Sequence, residues 1–253
     1  MTELPVLWHI EISHYNEKAR WALDYKGIPH RRRAPMPGVG HMSQALRLTR
    51  RVTFPVLELD GGAIGDSTKI IEALERHQPD PPLYPEDPAE RRRALELEDF
   101  FDEELGPHIR RLAFQHVLDD REQVVNMLAR GNARVVRAID PGYPVLRRVF
   151  RARYGVSDSG AERGLEKTRA ALDRMVAERG DRNHLVGDRF TVADLTAASL
   201  LAPVLMPPEL QYTIERVPPS FEGIRAELVA HPAAEWAYEM YRRYRGSSAE
   251  VTV

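Results

Sequence analysis

A cluster of prolines divides this chain into two parts. Five prolines lie between positions 78 and 88 of the 253-residue sequence, at Pro79, Pro81, Pro82, Pro85 and Pro88. Proline lacks a backbone N–H and fixes its own φ, so neither a helix nor a central strand can run through this segment. An extended connector tolerates such a composition. We therefore expect an N-terminal domain over residues 1–78, a linker over residues 79–88 and a C-terminal domain over residues 89–253.

The residues before the prolines alternate between strand-like and helix-like patterns. In chain order they predict a strand at 6–10, a helix at 15–26, a strand at 30–33, a short helix at 43–48, strands at 54–59 and 63–65, and a helix at 67–76. Gly27 ends the first helix, and residues 60–62 (DGG) are typical of a tight hairpin turn. This order predicts a small α/β domain with one mixed sheet.

The residues after the prolines show helical periodicity. Apolar stripes predict helices within residues 89–118, 122–139, 162–178, 191–205 and 233–244. Gly106 and Pro107 are expected to bend the first of these helices. The C-terminal domain is therefore predicted to be entirely helical.

The charge balance and the apolar pattern narrow the range of partners. The formal net charge is -2, from 36 basic and 38 acidic residues, so no overall field favours nucleic acid or an anionic membrane. No apolar run approaches the roughly 18 residues that a membrane-spanning helix needs. The first residues also lack the basic and apolar regions of a signal peptide. We expect a cytoplasmic protein that binds neither nucleic acid nor membrane.

The residue inventory also limits the chemistry. The chain has no cysteine, which excludes disulfides, thiolate metal sites and a thiol nucleophile supplied by the protein. Its nine histidines show no metal-ligand spacing, and no glycine-rich phosphate-binding motif occurs. We therefore predict that the protein binds neither a metal nor a nucleotide.

Two short motifs in the N-terminal domain could carry a ligand site. Pro55 stands at the start of a predicted strand, where a cis peptide can turn the backbone of the next residue toward a ligand; a trans proline at a strand entry is the alternative. Eleven residues later, residues 65–68 (GDST) open a helix, whose free N–H groups can bind a carboxylate. The alternative for this second motif is an ordinary N-cap, which Asp and Ser favour.

A third motif has a structural explanation. Thr191 and Asp194 stand three residues apart at the start of a predicted helix, the spacing of a capping box. Phe190 and Leu195 stand at the two positions of a hydrophobic staple. We interpret Thr191 and Asp194 as a structural N-cap rather than as catalytic residues.

These motifs together resemble those of a known family. Residues 53–57 (TFPVL) and 66–71 (DSTKII) closely resemble the glutathione-binding half of glutathione S-transferases. Residues 13–23 (SHYNEKARWAL) resemble the first helix of that family, and residues 187–194 (GDRFTVAD) resemble its C-terminal folding motif. Residues 106–163 match no family pattern. The resemblance implies an α/β thioredoxin-like N-terminal domain, an all-α helical-bundle C-terminal domain, and a homodimer.

The resemblance also assigns roles to individual residues. It implies that Pro55 is cis, that Val56 binds the cysteinyl backbone of glutathione, and that Asp66 and Ser67 receive the γ-glutamyl end. Ser13 matches the position that contacts the sulfur, where a hydroxyl can stabilise the thiolate by hydrogen bonding. The hydroxyl of Tyr15, two residues further on, is an alternative, and a site with no activating hydroxyl is another.

Two further points concern the same site. Basic residues near the loop could pair with the glycyl carboxylate of glutathione, His41 and Arg51 among them, although a solvated basic face is the simpler explanation for any one of them. Asn16 stands where redox-active relatives place the second cysteine of their pair. Because the chain has no cysteine, thioltransferase chemistry through a mixed disulfide with the protein is not expected.

The resulting hypothesis is a glutathione transferase, an enzyme of the detoxification type. The thiolate of glutathione, as co-substrate, would attack an electrophilic small molecule held largely by the helical domain. Two alternatives keep the fold: a non-catalytic protein that binds glutathione or a hydrophobic ligand, and a protein-interaction module.

Overall fold

The N-terminal part of the chain contains a four-stranded mixed sheet. The structure, a computed structural model, describes residues 3–36, 39–214 and 216–251. The strands are β1 (Val6–Trp8), β2 (Arg31–Arg33), β3 (Val56–Leu59) and β4 (Gly62–Gly65), in the spatial order β2-β1-β3-β4. Strand β1 runs parallel to β2 and antiparallel to β3. The predicted hairpin is confirmed: β3 and β4 are antiparallel, and Asp60 and Gly61 at the turn have positive φ angles of 51° and 78°.

Three helices pack with this sheet. They are α1 (His14–Tyr25), α2 (Val39–Thr49) and α3 (Ser67–His77). Helix α2 is longer than predicted from residues 43–48. It contributes the fully buried Ala45, which packs in a small apolar cluster with Phe54 and Val56. This cluster holds α2 against the start of β3.

The described residues after α3 form helices joined by loops, and residues near the C-terminus form a parallel β-bridge between Glu250 and His30. The helices are α4 (Pro88–Phe100), α5 (Gly106–Val117), α6 (Arg121–Ala129), α7 (Ala133–Ile139), α8 (Tyr143–Tyr154), α9 (Asp158–Arg179), α10 (Val192–Leu200), α11 (Ala202–Leu205), α12 (Pro219–Val229) and α13 (Pro232–Tyr244). The predicted fold class, a thioredoxin-like α/β domain followed by a helical domain, is thereby confirmed. No helix in the described ranges combines the length and apolar character needed to cross a membrane.

The predicted bend before Pro107 takes the form of a π-helical turn. Residues Phe101–Leu105 form this turn between α4 and α5. Pro107 cannot donate an N–H bond, and its ring would collide with the carbonyl group four residues earlier in a regular helix. A wider turn at this point avoids that collision while keeping the two helices continuous.

Two details of the helical part differ from the sequence-based expectation. The segment predicted at residues 122–139 is two helices, because Arg130 and Gly131 adopt left-handed backbone angles and Asn132 caps α7 through the N–H groups of Arg134 and Val135. Helices α8 and α12 were not predicted. In α8 the helical period of apolar residues is hard to recognise, because two valines are exposed and four positions are arginines. These residues are Val145, Val149, Arg147, Arg148, Arg151 and Arg153.

Helix α1 is the element that joins the sheet to the helical part. It packs on α3 on one side and on α10 on the other. Its Trp21 is fully buried, lies 4.4 Å from Tyr241 between ring centroids, and donates a hydrogen bond from Nε1 to the carbonyl of Tyr244 at 2.9 Å. One continuous apolar core therefore runs from the sheet into the helical part.

Asp194 organises the turn that leads into the buried helix α10. Its carboxylate accepts hydrogen bonds from the backbone N–H of Leu185 at 2.8 Å, the N–H of Thr191 at 2.8 Å and the hydroxyl of Thr191 at 2.9 Å. The predicted capping box is thus present. Asp194 is fully buried, which agrees with a structural rather than a catalytic role.

We expect Asp194→Ala to lower the free energy of unfolding by about 2–4 kcal/mol, because two buried N–H groups lose their acceptor. Urea unfolding followed by circular dichroism measures this loss. Asp188→Ala is the matched control, since the Asp188 side chain is 96% exposed in the same turn. Its effect should stay within about 0.5 kcal/mol. Equal effects of the two substitutions would contradict the structural role of Asp194.

Candidate functional site

The sheet brings the sequence motifs together at one edge. In the register of the sheet, Val56 pairs with both Trp8 of β1 and Gly65 of β4. The loop that follows β1, the start of β3 and the end of β4 therefore meet at the same edge. This places the segments that carry Ser13, Pro55 and Asp66 around a common site.

Asn16 ties two of these segments to each other. It is fully buried in the first turn of α1, and its Oδ1 accepts a hydrogen bond from the N–H of Ile10 at 3.1 Å. Its Nδ2 donates to the Oγ of Ser13 at 2.7 Å and to the carbonyl of Phe54 at 3.3 Å. The side-chain amide thus holds the Ser13 loop next to the start of β3. The family resemblance indicates only that Asn16 stands where redox-active relatives have a cysteine. The sequence signal for the contact is the spacing of three residues, about one helical turn, between Ser13 and Asn16.

Ser13 has a hydroxyl proton that it donates to none of the residues that the structure describes. The residue is the N-cap of α1 in backbone conformation, but its side chain makes no capping bond to the helix. Its Oγ instead accepts from Asn16. A hydroxyl has one proton to donate in addition to its acceptor sites, so the O–H of Ser13 remains available to an anion. The first N–H groups of α1 and the positive end of its dipole favour an anion at the same place.

Tyr15 directs its hydroxyl into the contact between the two parts of the chain. The hydroxyl donates to the carbonyl of Asp102 at 2.6 Å, and burial raises the pKa of the phenol. The neighbouring His14 lies 3.0 Å from the carbonyl of Gly106 through Nε2, and burial lowers the pKa of its ring to about 3. Both side chains therefore anchor α1 on the helical part, and the Tyr15 proton is already donated.

The other side of the site is the start of helix α3. The Phe54–Pro55 peptide bond is cis, as predicted, and Pro55 and Val56 are both buried. Asp66 is the N-cap of α3 and has a positive φ of 85°; its exposed carboxylate accepts from the N–H of Thr68 at 3.1 Å. Ser67 is buried in the first turn. A carboxylate and a helix N-terminus thus stand side by side, which suits a ligand carrying both an ammonium and a carboxylate.

A buried ion cluster supports this first turn of α3. The Nζ of Lys18 lies 2.8 Å from Glu98 and 2.5 Å from Asp102, and it donates to the hydroxyl of Thr68 at 3.1 Å. Burial alone would lower the pKa of Lys18, but the two carboxylates outweigh it and raise that pKa. Helix α4, the π-helical turn, α1 and α3 are therefore linked by one set of charges.

The two basic residues proposed for the glycyl carboxylate occupy different environments. His41 of α2 is half-buried, with its ring centroid 6.1 Å from that of Phe54, and burial lowers its pKa. Arg51 is exposed just after α2. The structure therefore places His41 beside the Phe54–Pro55 segment. Among the residues that the structure describes, no group of three or more His, Asp or Glu side chains is arranged to hold a metal ion.

A sizeable cavity elsewhere does not coincide with this site. It is a shallow depression of about 570 Å³ along α8, lined by Pro144, Arg147, Arg148, Arg151, Ala152, Gly155, Val156 and Ser157. None of the motif residues contributes to it. The candidate site is therefore identified by its hydrogen-bonding groups and not by cavity size.

Comparisons with known proteins agree with these motifs. Residues 7–82 match the family model of the glutathione S-transferase N-terminal domain, and residues 145–232 match that of the C-terminal domain. Together the two matches cover more than half of the chain. The second match begins at residue 145, so the expectation that residues 106–163 match no family pattern is wrong for residues 145–163. A search of curated proteins gave no match.

Solved structures share the fold over nearly the whole chain. A glutathione S-transferase from Methylobacterium radiotolerans JCM 2831, in complex with glutathione sulfonate, is 23% identical, with a TM-score of 0.56 over 93% of this chain and 95% of that one. A glutathione S-transferase from Rhodospirillum rubrum F11 is 21% identical, with a TM-score of 0.60 over 92% and 91%. A beta-etherase from Sphingobium sp. strain SYK-6 is 18% identical, with a TM-score of 0.63 over 94% and 99%.

We expect Gly106→Ala to be destabilising, because an added Cβ would lie 2.2 Å from the hydroxyl oxygen of Tyr15 and 2.6 Å from its Cζ. Overpacking of this kind costs about 1–3 kcal/mol. Gly223→Ala in α12 is the control, since its added Cβ meets no atom within 4 Å. Removing a helical glycine there should stabilise the protein by up to about 1 kcal/mol. Urea unfolding compares the two, and a Gly106 variant as stable as the Gly223 variant would refute the tight contact with Tyr15.

Proposed function

The chain belongs to the glutathione S-transferase superfamily, and from this premise we propose that it conjugates the thiolate of glutathione to an electrophilic small molecule. The observation that carries the proposal is the hydroxyl of Ser13. Asn16 holds it at the N-terminus of α1, and within the described ranges its proton is donated to no acceptor. The Methylobacterium relative was crystallised with glutathione sulfonate, which supports glutathione as the ligand of this fold.

The proposed reaction uses a nucleophile that the protein does not contain. The sulfur of glutathione, once ionised, attacks an electrophilic carbon and forms a C–S bond, and the displaced group leaves with its bonding electron pair. Donation of the Ser13 hydroxyl proton toward the sulfur favours the thiolate over the thiol. The dipole of α1 acts in the same direction, so the bound thiol ionises at a lower pH than the free one.

The remaining groups of the site suit the rest of the tripeptide. We assign the backbone of Val56 to the cysteinyl residue of glutathione. The carboxylate of Asp66 would pair with the γ-glutamyl ammonium, and the first N–H groups of α3, beside Ser67, would bind the γ-glutamyl carboxylate. His41 and Arg51 are the candidates for the glycyl carboxylate. In this proposal residues 1–78 bind glutathione, residues 89–253 hold the electrophile, and the enzyme is a cytoplasmic homodimer.

Calorimetric titration with reduced glutathione tests the premise of binding. We expect saturable binding of one glutathione per subunit, weakened by Asp66→Ala because the γ-glutamyl ammonium loses its partner. Glu72→Ala, an exposed carboxylate on the same helix, is the control and should leave the affinity unchanged. The absence of binding at millimolar glutathione would overturn the proposed function.

The substitutions Ser13→Ala and Tyr15→Phe form a second test. Ser13→Ala should raise the pKa of the bound thiol and lower kcat/KM at pH 7 by at least about tenfold, because a hydrogen bond to a charged group is lost. Tyr15→Phe removes a hydroxyl that already donates to Asp102, so it should reduce stability and leave the thiol pKa unchanged. Ultraviolet absorbance of the bound thiolate as a function of pH reports that pKa.

The outcomes separate the candidate activators and functions. A raised thiol pKa in Tyr15→Phe with none in Ser13→Ala would reverse the roles given to the two hydroxyls. Glutathione binding without ionisation or turnover in the unsubstituted protein would indicate a binding protein instead of an enzyme.

A further inference from the structure

Arg110 in helix α5 is a mostly buried cation that lacks an acidic partner among the described residues. Its guanidinium carbon lies 5.9 Å from the ring centroid of Tyr15 and 4.8 Å from that of Tyr154. Its Nε is buried without a hydrogen-bond partner. The guanidinium forms no hydrogen bond or ion pair with any residue that the structure describes. Its neighbours are therefore the two aromatic rings, and no described carboxylate neutralises its charge.

Two further arginines act electrostatically on Arg110. They are Arg153 and Arg111, and both are cations. Burial is the largest effect and lowers the pKa of Arg110; Tyr15 and Tyr154 oppose it, and the two arginines lower that pKa further. Burial and then Arg110 lower the pKa of His14. An arginine nevertheless stays protonated in proteins. A mostly buried, uncompensated charge is costly unless a partner is supplied.

Arg110 contacts the first turn of α1, which lies next to the candidate site. Tyr15, on which it stacks, is two residues from Ser13 in the first turn of α1. From the α6–α7 junction, Arg130 forms an ion pair with Glu11 at 3.0 Å and donates to the carbonyl of Pro35 at 3.3 Å. Arg110 is therefore connected to the loop of Ser13 through Tyr15, and the helical part contacts that loop through Arg130.

We propose that Arg110 is a recognition residue for the electrophile, and that the electrophile carries a carboxylate. The inference rests on the proposed transferase function and names its substrate class. A carboxylate is planar and accepts two parallel hydrogen bonds from a guanidinium. It would supply the negative charge and the acceptor atoms that the described residues around Arg110 do not provide.

The alternative is that Arg110 only packs between the two tyrosine rings as a structural cation–π contact. Such a contact gives no preference for a charged ligand over a neutral one of the same shape. Two product analogues separate these roles: the glutathione adducts of 4-fluoro-3-nitrobenzoate and of its methyl ester. In forming either adduct the sulfur bonds to ring carbon 4, and fluoride leaves with the bonding pair.

The experiment measures the affinity of the purified protein for glutathione and for both adducts by calorimetry. The unsubstituted protein should bind the acid adduct about tenfold more tightly than the ester, as expected for a hydrogen bond to a charged group. Arg110→Gln should reduce this ratio to about one. Arg148→Gln, the same chemical change at an exposed arginine of α8, should leave the ratio unchanged.

The glutathione titration separates the failure of this inference from the failure of the proposed function. No binding of glutathione by the unsubstituted protein would overturn both. Binding of glutathione with equal affinities for the two adducts, or an acid preference that persists in Arg110→Gln, would overturn only the role of Arg110. If Arg110→Gln does not fold, Arg110→Lys decides the matter, because it keeps the charge but not the planar fork and should retain a smaller acid preference.

Discussion

The buried charges of helix α1 require the rest of the chain to be arranged around them. Glu17, Lys18 and Asp24 are all buried, and each unpaired charge would cost several kcal/mol in the interior. Glu98 of α4 pairs with Lys18, whereas Arg245, fully buried after α13, pairs with Glu17 and with Asp24. Both ends of the helical part are therefore bound to one helix of the α/β domain. Losing Glu98 or Arg245 would leave these buried charges with one partner fewer, since Asp102, Arg20 and Arg32 supply the others, and the pairs therefore help to hold the two domains together.

This arrangement explains how a site made from separate loops can be positioned. Helix α1 carries Asn16 in its first turn and Lys18 in the next. Asn16 holds the hydroxyl of Ser13, and Lys18 reaches Thr68 at the start of α3. Side chains of the same buried helix, α1, therefore hold both the group proposed for the sulfur and the helix start proposed for the γ-glutamyl end of glutathione. Such preorganisation lowers the cost of orienting a substrate, because the hydrogen-bonding groups need not be ordered when it binds.

The parts of the structure that could be predicted from sequence are those decided by nearby residues. The cap at Asp194 depends on a spacing of three, and the β3–β4 turn depends on Asp60 and Gly61, which both have positive φ angles. The pairing of Lys18 with Glu98 could not be predicted, because the partners are far apart in sequence and lysine is usually exposed. The break between α6 and α7 falls at Arg130 and Gly131 and is followed by the N-cap Asn132. Glycine and asparagine are a local signal for such a break, but the apolar stripe over residues 122–139 favoured one continuous helix. The contact of Asn16 with Ser13 is local, whereas its contact with the carbonyl of Phe54 joins segments far apart in sequence and depends on the fold.

The two family models leave residues 83–144 unmatched, and much of what could distinguish this protein lies in or next to that segment. Arg110 and Arg130 belong to it. The ion pair between Arg130 and Glu11 is partly exposed, so it contributes at most about 1 kcal/mol and orients the α6–α7 junction more than it stabilises it. The groups assigned to glutathione come from matched residues, whereas Arg110, the residue proposed for the second substrate, comes from the unmatched segment. The identity of the electrophile therefore has to be inferred from uncompensated groups such as Arg110, since likeness to the family cannot supply it.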